Sequence, residues 1–144
     1  MTCASPDYCA RRGTPQHPHD LAAHDCITFD GLVPNGAWRY EADGNAIWAT
    51  VRARLTVNAA EAAIDAAVEG VGITRVLSYQ VDRTLRTGKL RLMLEKFEPP
   101  PRPVNLIHAH RGRLPIKMRA FIDFMLPRLS ARLEDCDIPP SSSE

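Results

Sequence analysis

The sequence contains no apolar run approaching the roughly 20 residues that span a bilayer, and its first residues lack the basic-then-apolar pattern of a signal peptide. Both absences lead us to expect a cytoplasmic protein with no membrane partner. A surplus of charge of either sign is also missing: 18 Lys and Arg stand against 17 Asp and Glu, a formal net charge of +1. Nothing global therefore draws the chain to nucleic acid or to an acidic membrane, and any such binding has to be local. There is no C-x-x-C pair, no internal repeat and no glycine-rich turn between a strand and a helix. In a reducing cytosol Cys3, Cys9, Cys26 and Cys136 are expected to be thiols. Cys3, Cys9, His17, His19, His24 and Cys26 do crowd into the first 26 residues. Their spacing is irregular and Pro15 and Pro18 stiffen the middle, whereas structural zinc sites use tight ligand pairs, so neither metal nor cofactor is expected.

What is present is mixed α/β patterning over 144 residues, enough for one domain that buries about 70% of its unfolded surface. Ser5-Pro6 with Gly13 beyond predicts a short helix, and Pro18 to His24 a further helical turn. A strand is expected at Cys26 to Phe29, then a hairpin from Trp38 through the turn Asp43-Gly44-Asn45. From Ile47, strict alternation places Ile47, Ala49, Val51, Ala53, Leu55 and Val57 on one face of a single long strand. Asn58 is read as the cap of an alanine-rich helix with Gly70 as its stop, and Ile73 to Leu77 as a strand parallel to the first. A helix near Gln80 to Arg86 and a strand at Leu90 to Leu94 follow. Four prolines in Glu98 to Pro103 make a stiff connector, beyond which come a strand, Val104 to His108, and a helix from Pro115 to Arg132. Pro127 is expected to bend or divide that helix, whose apolar stripe, Phe121, Phe124, Met125 and Leu129 among its members, needs a surface to cover.

A β-α-β crossover leaves the first amides of its helix, here at Ala59 and Ala60, over the carboxyl ends of the strands, where free N–H groups and the helix dipole favour small anions and carbonyls. The bland alternative is a structural crossover with water on those amides.

Ala4-Ser5-Pro6-Asp7-Tyr8-Cys9-Ala10-Arg11-Arg12-Gly13-Thr14-Pro15, followed by His17-Pro18-His19-Asp20-Leu21-Ala22-Ala23-His24-Asp25-Cys26, resembles the start of the second effector subdomain of LysR-type transcriptional regulators. Trp38 with its hairpin, Val57-Asn58-Ala59-Ala60-Glu61-Ala62, Gly70-Val71-Gly72-Ile73, Gly88-Lys89-Leu90 and Arg119-Ala120-Phe121-Ile122-Asp123-Phe124 continue the resemblance in order. It implies a type II periplasmic-binding-protein-like α/β fold, a mixed sheet with flanking helices, in which two lobes joined by crossing strands hold an effector between them. On that reading residues 1–103 form a complete second lobe with a crossover strand at 1–6, residues 104–134 a returning strand and helix of a partial first lobe, and residues 135–144 a disordered tail. The family's helix-turn-helix, linker helix and first half of lobe one find no counterpart, so the chain is expected to be a fragment that meets DNA only through that missing segment. The ligand-gripping Ser and Thr residues of lobe one are missing with it.

The resemblance implies Asn58, Ala59, Ala60, Ser78 and Tyr79 as the cleft-facing, ligand-binding residues. Asn58 and Ser78 as mere helix caps, and Tyr79 as a packed ring with a surface hydroxyl, are the competing structural readings. The partners implied are a small anionic effector and a second copy, as a homodimer or a segment-exchanged assembly, with no reaction catalysed. The alternatives are a small thiol enzyme built on Cys26, His24 and Asp25, a stand-alone solute-binding module, and nucleic-acid binding through Arg111, Arg113, Lys117 and Arg119. Adjacent residues on an extended segment point to opposite faces, which counts against the first, and a basic run is commonly a solvated face, which counts against the last.

Overall fold

The computed structural model describes residues 1–29, 36–101, 103–108 and 114–134. Contacts divide the chain into two units, Met1–Pro99 and Pro100–Glu144. The first is a five-stranded mixed sheet whose strands lie in the order β5 (Arg52–Val57), β2 (Asp25–Phe29), β6 (Ile73–Arg75), β1 (Thr2–Ala4) and β7 (Arg91–Met93), with a separate two-stranded hairpin, β3 (Ala37–Ala42) and β4 (Asn45–Thr50).

Strand β1 (Thr2–Ala4) leads through Ser5 into α1 (Pro6–Arg12), where the Ser5 hydroxyl accepts from the Tyr8 amide at 3.3 Å and Pro6 occupies the first turn. Gly13, at φ 79°, ends the helix in a backbone region that L side chains avoid. A 3-10 helix, Pro18–Ala23, then delivers β2 (Asp25–Phe29). Strands β3 (Ala37–Ala42) and β4 (Asn45–Thr50) pair antiparallel about Asp43 and Gly44, both at positive φ as a tight hairpin turn requires.

The single long strand expected from Ile47 is two strands. The chain leaves the hairpin at Val51, and β5 (Arg52–Val57) joins the main sheet parallel to β2. A register shift follows at once: Cys26 pairs with Ala53 but Ile27 with Leu55, so Arg54 is an extra residue, a β-bulge. The bulge turns the strand over. Ile47, Ala49 and Val51 pack with Trp38, Tyr40 and Cys26 on one side of the sheet, whereas Leu55 and Val57 pack with Ile27 and the next helix on the other. Alternation in the sequence is unbroken because the apolar residues before Arg52 meet the layer on one side and those after the bulge meet the layer on the other.

Helix α2 (Ala60–Val68) crosses over to β6 (Ile73–Arg75), burying Ala60, Ala63, Ile64 and Ala67. Strands β5 and β6 both run parallel to β2, one on each side, so the expected parallel relation holds with β2 between them. Asn58 is not the cap: it is exposed, Ala59 is the N-cap, and no side chain caps the helix. Helix α3 (Ser78–Arg86) and β7 (Arg91–Met93) complete the sheet. Two apolar layers result, the hairpin and α1 on one face and α2 and α3 on the other.

In the second unit, residues 103–108 form no strand, which corrects the expected Val104 to His108; a strand exists only through its ladder, and no partner is present among the described residues. Helix α4 (Ile116–Glu134) runs through Pro127 without dividing. Its Arg128 donates to the Phe124 carbonyl at 2.7 Å and lies 3.6 Å over the Phe124 ring. No α4 residue is buried, and Phe121, Phe124, Leu126 and Leu129 are exposed. Residues 135–144 and the basic-loop residues Arg111 and Arg113 fall outside the described residues.

Gly72 is where the crossover meets β2 most closely: a Cβ there would lie 2.4 Å from the Asp25 carbonyl oxygen. Gly72→Ala is expected to destabilise the domain by about 3 kcal/mol or more, because backbone has to move. Gly88→Ala, with positive φ but open space, should cost about 1 kcal/mol. Urea denaturation of the two variants tests the difference.

Candidate functional site

The carboxyl ends of β2, β5 and β6 lie along one edge of the sheet, and there the chain starts both long helices of the first unit. Val57 ends β5, Asn58 and Ala59 turn, and the first intrahelical bond of α2 runs from the Ala63 amide to the Ala59 carbonyl at 3.3 Å. The amides of Ala60, Glu61 and Ala62 are thus free of intrahelical partners and uncapped, with the positive end of the helix dipole behind them. The expected amides at Ala59 and Ala60 turn out to be the N-cap and the first helical position.

Two strand positions along the edge, about 10 Å away by strand spacing, β6 ends and α3 begins. Leu77 is the N-cap of α3, with its amide donating to the Gln80 side-chain oxygen at 3.0 Å. Ser78 is therefore the first helical residue and not the cap, half-buried, while Tyr79 is 47% exposed with its ring at the surface. All five residues expected for the site lie on this edge, in two groups at the starts of α2 and α3.

A third group was not read from the sequence. Because β1 runs antiparallel to β6, with Thr2 opposite Arg75, the start of β1 reaches the same edge, and β7 returns to it with Met93 opposite Thr2. Glu98, four residues beyond a left-handed Leu94 at the end of its 3-10 turn and so close behind β7, clasps the two passages: one oxygen accepts from the Thr2 hydroxyl at 3.1 Å, the other from Arg75 at 3.3 Å. The Thr2 hydroxyl also meets the Tyr40 hydroxyl at 2.8 Å, and the Arg75 guanidinium lies 4.6 Å from the Tyr40 ring centroid. Burial pushes the Tyr40 phenol up, so it stays protonated. Charge-assisted bonds in this partly buried setting are worth about 1.5–3 kcal/mol each. Thr2, Tyr40, Arg75 and Glu98 are far apart in sequence, and the one local signal was a charged residue ending each of β6 and the segment after β7.

The thiol reading fares differently. Cys26 is buried, its sulfur set against the Leu21 and His24 carbonyls at 3.9 and 3.8 Å, and burial pushes its thiol up to about 12. The His24 ring bonds instead to the Tyr8 hydroxyl, at 3.2 Å from Nδ1, and desolvation aided by the Arg12 charge lowers its pKa. The geometry holds an inert thiol beside an occupied imidazole. Cys3 is buried and likewise pushed up to about 12. Cys3, Cys9 and Cys26 are free, and no three His, Cys, Asp or Glu residues among those described converge as a metal set.

A family model described as the LysR substrate binding domain matches residues 1–130. This chain belongs to the LysR substrate-binding domain family. Among curated proteins it is 30% identical over 125 residues to the uncharacterised HTH-type transcriptional regulator YcaN of Escherichia coli, covering 85% of this chain and 40% of that one. It is 29% identical over 132 residues to the HTH-type transcriptional regulator CrgA of Neisseria meningitidis, covering 90% and 44%. This LysR substrate-binding domain therefore spans less than half the length of those relatives. Among solved structures, the regulatory domain of AphB from Vibrio vulnificus matches with a TM-score of 0.73 at 27% identity, covering 88% of this chain and 63% of that one. The full-length Vibrio cholerae virulence activator AphB, a member of the LTTR family, matches with a TM-score of 0.77 at 26% identity, covering 89% and 44%. The α/β architecture of this LysR domain is accordingly of the type II periplasmic-binding-protein-like class, and its homologues are transcriptional regulators. No helix among its described residues is long and apolar enough to cross a membrane.

Iodoacetamide applied to the folded chain at neutral pH should leave Cys3 and Cys26 unmodified while half-buried Cys9 reacts, as read by peptide mass spectrometry. Because His24 has a lower pKa folded than unfolded, the unfolded chain binds more protons below the ordinary value of 6.5, and stability should fall as pH drops from 7 through that range. Chemical denaturation at pH 7 and 5 should show a smaller loss for His24→Gln than for the wild type.

Proposed function

We propose that this chain is the effector-sensing and dimerising region of a LysR-type bacterial transcription regulator, with residues 1–103 as its second lobe and residues 104–134 as the returning part of its first. The observation that carries the reading is the shared edge: the uncapped start of α2, the start of α3 and the Glu98 clasp all lie along the carboxyl ends of the parallel strands. A lobe whose chain comes in and leaves at that edge hinges there, so a second lobe would close over it. A small anionic metabolite would sit between, accepting from the amides at Ala59 and Ala60, with Asn58, Ser78 and Tyr79 about it. Sensing consists of preferring one lobe closure or dimer arrangement, and shifts the equilibrium only by the difference in affinity for the two states.

In this reading the protein works in the cytoplasm, DNA is met through a helix-turn-helix segment outside this chain, and nothing is chemically transformed. The exposed apolar residues of α4 support association with first-lobe mass or with a second copy, as a homodimer or an exchanged segment. A thiol enzyme is disfavoured by the raised Cys26 thiol, and nucleic-acid binding by this chain by the nearly balanced charge.

The decisive variant is Ala59→Asp, which supplies the missing cap and occupies the anion position with its own carboxylate. In a two-lobed regulator carrying this chain, it should raise stability by about 1 kcal/mol. It should also abolish the melting-temperature rise that the wild type shows with at least one compound in a panel of organic acids and amino acids. A panel without any response, or a response equal in the variant, would contradict the proposal.

A further inference from the structure

The opposite edge of the sheet carries a polar concavity. We propose that it binds a small oxyanion of two or more negative charges, at a site separate from the effector edge and independent of that reading. The cavity has a volume of about 430 Å³ and is lined by Arg12, Asp25, Arg52, Ala53 and Arg54. Asp25 and Arg52 are paired residues at the amino ends of the parallel strands β2 and β5, so the strands themselves separate this place from the starts of α2 and α3.

Regular alternation sets Arg52 and Arg54 on one face of the strand and Ala53 on the other, yet all three line one cavity, because the bulge at Arg54 breaks the alternation there. Arg12 approaches from the end of α1, a helix fixed by its Ser5 cap and by the bond from Arg11 to the Gly70 carbonyl at 3.0 Å. Two loci of the fold thus bring three arginines and one aspartate to one cavity. Arg54 Nη1 lies 3.2 Å from Asp25 Oδ2, which neutralises that carboxylate, and Arg12 spends one donor on the Ala23 carbonyl at 3.3 Å. Arg52 has no side-chain partner among the described residues, and each guanidinium carries five donors in a planar fork suited to oxyanions. The positive field already reaches a neighbour, since the charge of Arg12 is one cause of the lowered pKa of His24.

The chemistry of the lining selects the ligand class. Ala53 is the one apolar residue in it, so an aromatic or aliphatic metabolite would gain little, whereas a compact, highly charged anion meets donors on several sides. Inorganic phosphate and citrate share that chemistry and fit the volume.

The test is calorimetric titration of the 144-residue chain with sodium phosphate and, separately, citrate, against sodium chloride of equal ionic strength. Saturable heat with at least one of the two, absent with chloride, is expected. Arg52→Ala should weaken binding about tenfold. Arg54→Ala should weaken it at least as much, because it also leaves the Asp25 carboxylate uncompensated. Both arginines are exposed, and circular-dichroism spectra of the variants should match the wild type, with Arg54→Ala melting at most a few degrees lower for its lost ion pair. Ala59→Asp, at the other edge, should bind phosphate or citrate as the wild type does, which separates this site from the effector edge. Heat no different from chloride, unchanged binding in both arginine variants, or loss of binding in Ala59→Asp would overturn the proposal.

Discussion

Strand direction is the constraint from which the remaining organisation follows. β5 and β6 both run parallel to β2, which obliges α2 to cross over the sheet and begin at the carboxyl ends of the strands. The same direction sets α3 beginning at that edge, and the antiparallel β1 brings Thr2 to it from the other side. A sheet wound the other way would separate the uncapped amides from the Glu98 clasp. The close passage of Gly72 over the Asp25 carbonyl shows how tightly that winding is packed.

Local rules written in short stretches were legible. Ser5-Pro6 with Gly13, and Asp43-Gly44 between alternating residues, are decided by caps and turn angles that need nothing from afar, and both formed as expected. The stretch from Ile47 to Val57 was misread because period-two alternation reports that side chains alternate, and not which layer each meets. A break at Val51 and a bulge at Arg54 move the apolar set from one side of the sheet to the other without disturbing the pattern. Asn58 carried the right chemistry for a cap one position too early, and the helix starts after Ala59 with no cap at all. The segment at 104–108 reads as strand by composition alone, and pairing is what makes a strand.

The candidate site was legible to the extent that it is backbone. A crossover helix announces its free amides by sequence, so the Ala59 and Ala60 region was accessible. The clasp of Thr2, Tyr40, Arg75 and Glu98 was not, because it joins residues up to 96 positions apart whose meeting is fixed only by the order of strands. The basic cavity was hidden for a further reason: Arg12 at the end of α1 and Asp25 at the start of β2 reach Arg52 and Arg54 only through the order and pairing of the strands. The two edges of one sheet thereby acquire opposite designs, uncapped amides at one and guanidinium groups at the other, both suited to anions.

Anion binding at the carboxyl ends of the parallel strands is tested by an amide NMR titration of a two-lobed regulatory domain carrying this chain, using an organic acid found to bind it. Shifts should concentrate at the amides of Ala60, Glu61 and Ala62 and at the start of α3 around Ser78 and Tyr79. Shifts that leave those amides unmoved while others change would contradict it.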